Sequence, residues 1–217
     1  MNRTGKQPVV EAFYGISSPW AYLGFPRLRQ IVAQEGARLI LRPIRIIQAN
    51  GGIPLRTRPV ARQEYHRVEL RRWRDFLNLP LNLDPKFYPC RTIEPAARLV
   101  IAADQQGLNG AALSWGIQSA LWAQDRDIAD PETLSALVEE TTGADGKSLI
   151  ATSDTPEVMA AWQSNLEDAE HLGVFGTPTY VFDNELFWGQ DRLDFLQRKL
   201  QSMKLRSHSD MGIEKTI

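Results

Sequence analysis

The chain predicts a mixed α/β fold in which one sheet is assembled from both ends of the sequence and a large all-helical block is inserted between them. Three observations carry that reading. Strand-like apolar runs fall at residues 9–14, 38–47, 179–182 and 186–188, all near one end or the other. From about residue 50 to 172 the apolar residues recur instead at helical spacings. Proline, glycine and short polar residues sit at the joints, where caps and turns need them.

The first strand, residues 9–14, gives way to Ser18-Pro19, which opens a helix over 19–35. Serine is a preferred N-cap, and proline is favoured at the first helical position, where its missing N–H is not needed. Leu23, Leu28, Ile31 and Val32 face inward, and Pro26 bends the helix. The run 38–47 forms the second strand. Pro59 suits the first turn of a helix over 60–77, with Tyr65, Val68, Trp73, Phe76 and Leu77 on one apolar face. Helices follow at 94–106, at 111–123, at 131–142 behind an Asp130 cap, and at 156–172, where Gly173 stops the last of them. Asp183-Asn184 turns the chain between 179–182 and 186–188, and Asp191 caps a final helix to about residue 201. A β-α-β unit and a β-β-α unit together make a thioredoxin-like core. The expected division is therefore 1–50 and 173–201 for the core, 51–172 for the helical insertion, and 202–217 for a polar, flexible tail.

Composition narrows the function classes. With 217 residues and 43% hydrophobic content, the chain can bury the core of one domain carrying a sizeable insertion. A net charge of -1 and a pI near 6.3 give no global field to draw it to nucleic acid or an anionic membrane. Cys90 is the single cysteine, which rules out an intrachain disulfide and favours a reducing compartment. Residues 1–7 are polar with no signal-peptide core behind them, and no apolar run approaches the roughly 18–20 residues of a membrane span. The expectation is a cytoplasmic protein with neither a membrane nor a nucleic-acid partner. His66, His171 and His208 lie far apart without a ligand pattern, so no metal site is expected, and His66 reads as part of a surface helix. Cys90 reads as an incidental or buried thiol, and Trp115, Trp122 and Trp162 as core residues.

Ser18-Pro19 has a complete account as a helix cap, but a second reading stands beside it. Open N–H groups and the dipole at a helix N-terminus stabilise an anion, and in thioredoxin-type proteins a Cys-x-x-Cys placed there has its first thiol acidified. Here the four positions are Ser18-Pro19-Trp20-Ala21, which cannot exchange disulfides. They can hold a thiolate that another molecule brings, with the serine hydroxyl as donor. Thr177-Pro178 is either a plain edge-strand start or a cis-proline facing that helix end, with backbone groups free to pair with a peptide. The stretch Phe187-Trp188-Gly189-Gln190-Asp191-Arg192-Leu193 is either a strand end and cap or a polar hold on the charged ends of a small peptide.

At these segments, and at Asn50-Gly51-Gly52 and Arg72-Trp73, the sequence resembles the glutathione-dependent 2-hydroxychromene-2-carboxylate isomerases and the related kappa-class glutathione transferases, within the broader DsbA-like family. The likeness spans about residues 9–200. It implies a DsbA-like fold, a homodimer, glutathione as cofactor and a small aromatic-derived substrate. By resemblance the catalytic serine falls on Ser18, with Ser17 as the one-residue alternative, and Pro19 and Trp20 lie beside the cofactor. Asn50, in the loop after the second strand, falls by the same resemblance on a cofactor-binding position. Thr177, before Pro178, pairs with the cysteinyl part of glutathione, and Trp188, Gly189, Gln190 and Asp191 hold its γ-glutamyl end. The resemblance also implies a thiolate that adds to the substrate, allows rotation about the resulting single bond, and leaves again. Charge developed in that cycle calls for a cation, for which Arg45, Arg56, Arg58, Arg62 and Arg91 are candidates. The loop between Ile47 and Gln63, shorter than in typical members, helps shape the second substrate's pocket. The alternatives are a kappa-class-like transferase and a DsbA-fold protein without redox activity.

Overall fold

The structure, a computed structural model, describes residues 7–213 and the side chains of residues 7–205; residues 1–6, and residues 214–217 of the expected tail, lie outside the described residues. Strand β1 (Val9–Tyr14) is central. It pairs in parallel with β2 (Arg38–Pro43), Val9 opposite Arg38, through the crossover helix α1 (Pro19–Gln34). On its other side it pairs antiparallel with β3 (Thr179–Phe182), which pairs antiparallel with β4 (Glu185–Trp188), giving the order β2-β1-β3-β4. Asp183 and Asn184 both take positive φ, 53° and 60°, as the tight turn between β3 and β4 requires. Both ends of the chain thus contribute to one four-stranded sheet, the thioredoxin-like core that the element order predicts.

Between β2 and β3 lie α2 (Val60–Leu77), α3 (Glu94–Gln105), α4 (Gly110–Trp122), α5 (Pro131–Thr142), α6 (Gly146–Ser153) and α7 (Pro156–His171). Helix α3 packs against α4, α6 and α7, and both α3 and α7 reach β2. Leu99, Val100, Leu113, Ile117 and Leu121 are fully buried in this block. A polar link joins it to the sheet: Tyr14 Oη lies 2.8 Å from Ser114 Oγ, and both residues are buried. Trp122 and Trp162 are core residues as expected, and Trp115 stacks on Tyr22 with centroids 4.9 Å apart.

Four departures from the sequence reading have physical reasons. Strand β2 ends at Pro43, not 47, because β1 ends at Tyr14; Ile44 N–H makes the last bond, 2.8 Å to Tyr14 O, and Ile47 is buried from a loop. Helix α6 is unanticipated. It is eight residues with only Leu149 and Ile150 as large apolar side chains, held by Asp145, whose Oδ1 accepts from Ser148 N–H at 2.6 Å. On α2 the expected apolar face is largely in solvent: Tyr65 is 59% and Phe76 77% exposed, and Leu70 is the helix's one buried residue. That helix meets the core through Leu70, Trp73 and Leu77 and otherwise borders a cavity. Finally, Asp191 sits inside a 3-10 turn (Gln190–Arg192), and α8 (Leu193–Ile213) starts after it and runs past residue 201, so much of the stretch expected as a tail is helical.

Candidate functional site

The site begins where β1 stops. Ser18 N–H closes a turn onto Gly15 O at 2.9 Å, and Ser18 takes an extended backbone, φ -75° and ψ 122°, as a cap residue does. Its Oγ accepts from Ala21 N–H at 3.3 Å. Pro19 has no N–H and Tyr22 N–H bonds Ser18 O at 3.0 Å, so the N–H of Trp20 is the first-turn donor left for something outside the helix. The cap reading is therefore correct as far as it goes.

The same hydroxyl also points across the site. Thr177-Pro178 is a cis peptide, and Ser18 Oγ donates to Thr177 O at 3.4 Å. Both of its bonds are long for a hydroxyl, so its proton can turn to a stronger acceptor at little cost. Thr179 Oγ1 donates to Gly176 O at 2.7 Å and fixes the turn ahead of the cis bond. The N–H of Thr177 has no acceptor among the described residues. Gly189 N–H donates to Pro178 O at 2.8 Å, and Thr179 lies opposite Trp188 in the sheet, so residues 188–191 stand beside the cis-proline. Gly189 has φ 94°, a conformation that favours glycine. Gly176 lies under Trp188, where an added Cβ would come within 2.3 Å of the indole nitrogen. Gln190 is 2% exposed, and its Oε1 has no hydrogen-bond partner in the protein.

These groups line one cavity of about 530 Å³. Ser17, Ser18, Pro19 and Trp20 form one side, Thr177 and residues 188–192 another, and His66, Glu69 and Trp73 of α2 face them. Of the expected site residues, Ser18, Pro19, Trp20, Thr177, Trp188, Gly189, Gln190 and Asp191 meet at this cavity, and Pro178 sits directly behind Thr177. Asn50 does not line it. Its amide donates to the carbonyls of Ala169, Glu170 and Val174 at 3.3, 2.9 and 3.1 Å, clamping the end of α7 to the segment that leads into the cis-proline.

The candidate arginines divide. Arg45 and Arg58 line the main cavity and Arg62 an adjoining one. Arg56 lines neither, and Arg91 is engaged with Asp127 at 2.7 Å. Cys90 is half-buried outside the cavity, and burial, helped by Asp127, pushes its thiol up to about 11. The thiol therefore stays protonated at neutral pH. His171 is exposed at the end of α7, away from the cavity, and the side chain of His208 lies outside the described residues.

His66 is the residue that the sequence reading misplaced. It is half-buried, lines the cavity and meets the ring of Trp20 edge-on at 5.2 Å. Burial, then the nearby Arg58 cation, pushes its imidazole down to about 4, so it is neutral at physiological pH. A signal for it was present: Arg62, His66, Glu69 and Trp73 recur at spacings of four, three and four, a second stripe on α2 beside the apolar one. Among the described residues no group of three or more His, Cys, Asp or Glu side chains converges, and no helix is long and apolar enough to cross a membrane.

Comparison with known proteins agrees with this architecture. Among curated proteins, the chain is 27% identical over 195 residues to the 2-hydroxychromene-2-carboxylate isomerase of Sphingobium xenophagum, covering 88% of this chain and 97% of that protein. It is 26% identical over 207 residues to glutathione S-transferase kappa 1 of Homo sapiens, covering 88% and 90%. A solved 2-hydroxychromene-2-carboxylate isomerase superposes with a TM-score of 0.73 at 22% identity over 94% of this chain and 98% of that one. The profile of the DSBA-like thioredoxin domain matches residues 9–201, and the chain belongs to that family.

Proposed function

We propose that this DSBA-like protein is a glutathione-dependent isomerase that interconverts 2-hydroxychromene-2-carboxylate and trans-o-hydroxybenzylidenepyruvate-type aromatic catabolites. One observation carries the reading: the helix end that faces the cis-proline bears Ser18 and Ala21 in place of thiols, with the Ser18 hydroxyl 3.4 Å from Thr177 O. A site of that shape suits a borrowed thiolate and cannot perform disulfide exchange.

The residues present fit glutathione. The open N–H of Thr177 and its weakly engaged carbonyl match the backbone of a cysteinyl residue, as an added strand would. Gln190 and Asp191 both line the cavity where the resemblance puts the γ-glutamyl end, and the Asp191 carboxylate can accept from its ammonium. Bound glutathione supplies a nucleophilic sulfur that adds reversibly to the conjugated carbon of the substrate and so frees a double bond to rotate. Ser18 Oγ–H and the N–H of Trp20 stabilise that sulfur as its anion. Arg45 and Arg58, neither with a carboxylate partner among the described residues, balance the substrate's carboxylate. Similarity to the curated isomerases over most of the chain supports this assignment. Similarity to kappa 1 glutathione transferase favours conjugation of an electrophile as the second reading. Both share the cofactor, and with them goes a cytoplasmic homodimer acting in aromatic catabolism.

Ultraviolet monitoring of 2-hydroxychromene-2-carboxylate, with and without glutathione, tests the proposal. Conversion that requires glutathione and leaves it unconsumed supports isomerisation; net consumption of glutathione with a generic electrophile and no isomerisation supports the transferase reading. No dependence on glutathione in either assay refutes both.

A further inference from the structure

Beside the cavity lies an adjoining chamber whose lining, Trp20 apart, the cofactor's own recognition does not use. It measures about 350 Å³ and is lined by Trp20, Arg58, Arg62, Tyr65, His66 and Glu69, sharing four of these residues with the first. We propose that His66 donates a hydrogen bond to the electrophile's carbonyl oxygen from this chamber, with Trp20 beneath the aromatic ring and Arg58 holding the carboxylate. The inference rests on the isomerase reading and assigns the far half of its substrate.

The placement follows from the helix geometry. Trp20 lies two residues after Ser18 in the first turn of α1, and its ring meets His66 edge-on with planes at 88°. A planar molecule attacked by a sulfur held at Ser18 therefore runs along Trp20 towards α2. Arg58 is held by Ile53 O, with Nε at 3.2 Å and Nη2 at 2.9 Å, which leaves its Nη1 face for an anion. Glu69, the chamber's acidic residue, is turned to Arg72 at 2.6 Å, so it does not neutralise Arg58. When the S–C bond forms, the π pair of the attacked C=C shifts through the conjugated system to the carbonyl oxygen; reversal returns the pair and expels the sulfur, with no net proton or electron. A neutral imidazole has one N–H to offer that oxygen throughout. Burial and Arg58 keep His66 neutral, so it offers that N–H without adding a second cation to the chamber.

The test separates this inference from the glutathione reading by beginning without glutathione. The imidazole proton resonance of His66, assigned by its loss in His66→Phe, is followed while o-hydroxycinnamate is added to the full-length protein. A saturable shift, with the His66 midpoint rising from about 4 as the probe's carboxylate offsets Arg58, is expected, and Arg58→Ala weakens the effect by about tenfold. No shift at millimolar probe overturns the proposal whatever glutathione does. In turnover, His66→Phe lowers kcat by about 10²- to 10³-fold with the glutathione Kd within about twofold, while His66→Gln, which keeps an N–H, recovers about tenfold or more. Wild-type kcat in His66→Phe, or no recovery in His66→Gln, also overturns it. Calorimetry of wild type with glutathione reports independently on the cofactor.

Discussion

Replacing Ser18 with alanine removes two things at once, and the structure gives a separate magnitude for each. The first is the cap. Ser18 Oγ accepts from Ala21 N–H at 3.3 Å, a long bond, so the loss belongs near the middle of the usual range for such caps, about 1 kcal/mol. For a chain of this size that lowers Tm by about 2–4 °C. The second is the donor to sulfur. A hydrogen bond to a charged group contributes about 1.5–3 kcal/mol, and with the Trp20 N–H as the remaining first-turn donor nothing replaces it, so turnover falls about 10- to 150-fold. Ser18→Thr restores most of both. Ser17→Ala, one residue earlier on the same cavity wall, lowers turnover less than about threefold. Thermal melts and steady-state rates on the three variants are the assay. Equal losses in Ser17→Ala and Ser18→Ala, or a lower Tm with wild-type turnover in Ser18→Ala, refute the role given to this hydroxyl.

Other substitutions probe the surrounding shell. Gln190→Leu removes a buried acceptor that has no partner in the free protein, so stability is kept or improved while glutathione affinity falls about tenfold by calorimetry. Asn50→Ala deletes the donor to three carbonyls and costs about 1–3 kcal/mol of stability by urea unfolding; because Asn50 stands outside the cavity, the glutathione Kd moves less than about threefold. His66 titrates near 4 in the fold and near 6.5 when unfolded, so the unfolded chain binds more protons between those values and wild type loses stability as pH falls through that window. His66→Phe lacks that loss. Urea unfolding of both proteins at about pH 7 and about pH 4.5 checks it: a wild-type advantage that shrinks at the lower pH is expected, and a pH-independent difference contradicts the burial argument.

How much of this was legible depends on whether a feature is local. Strand β1 and helices α1 and α5 announce themselves because apolar period, cap and proline coincide at Ser18-Pro19 and at Asp130-Pro131. The meeting of Ser18 with Thr177 is legible one step later, since a β-α-β unit and a β-β-α unit sharing a sheet bring the start of α1 to the start of β3. What the sequence hides is set by partners. The end of β2 depends on where β1 stops, and the eight residues of α6 have too few apolar positions to show a period. On α2 Tyr65, Val68 and Phe76 point outward while Trp73 and the polar His66 and Glu69 line the cavity, so hydrophobicity alone does not mark the inner stripe and His66 passes for a surface residue. Asn50 sits where the resemblance puts a cofactor contact, yet its amide is taken up by backbone carbonyls of α7 and the following turn, a long-range arrangement that no local pattern reports.

The central claim is that the N-terminal end of α1, through Ser18, holds a borrowed thiol as its anion. Ultraviolet titration of the thiolate band of protein-bound glutathione against pH, in wild type and in Ser18→Ala, tests it most directly. Bound glutathione is expected to ionise at least about one pH unit below a free thiol's value of about 8.5, and Ser18→Ala to move the midpoint back by about one unit. Ionisation at the free-thiol value in wild type, or the same lowered midpoint in both proteins, contradicts it.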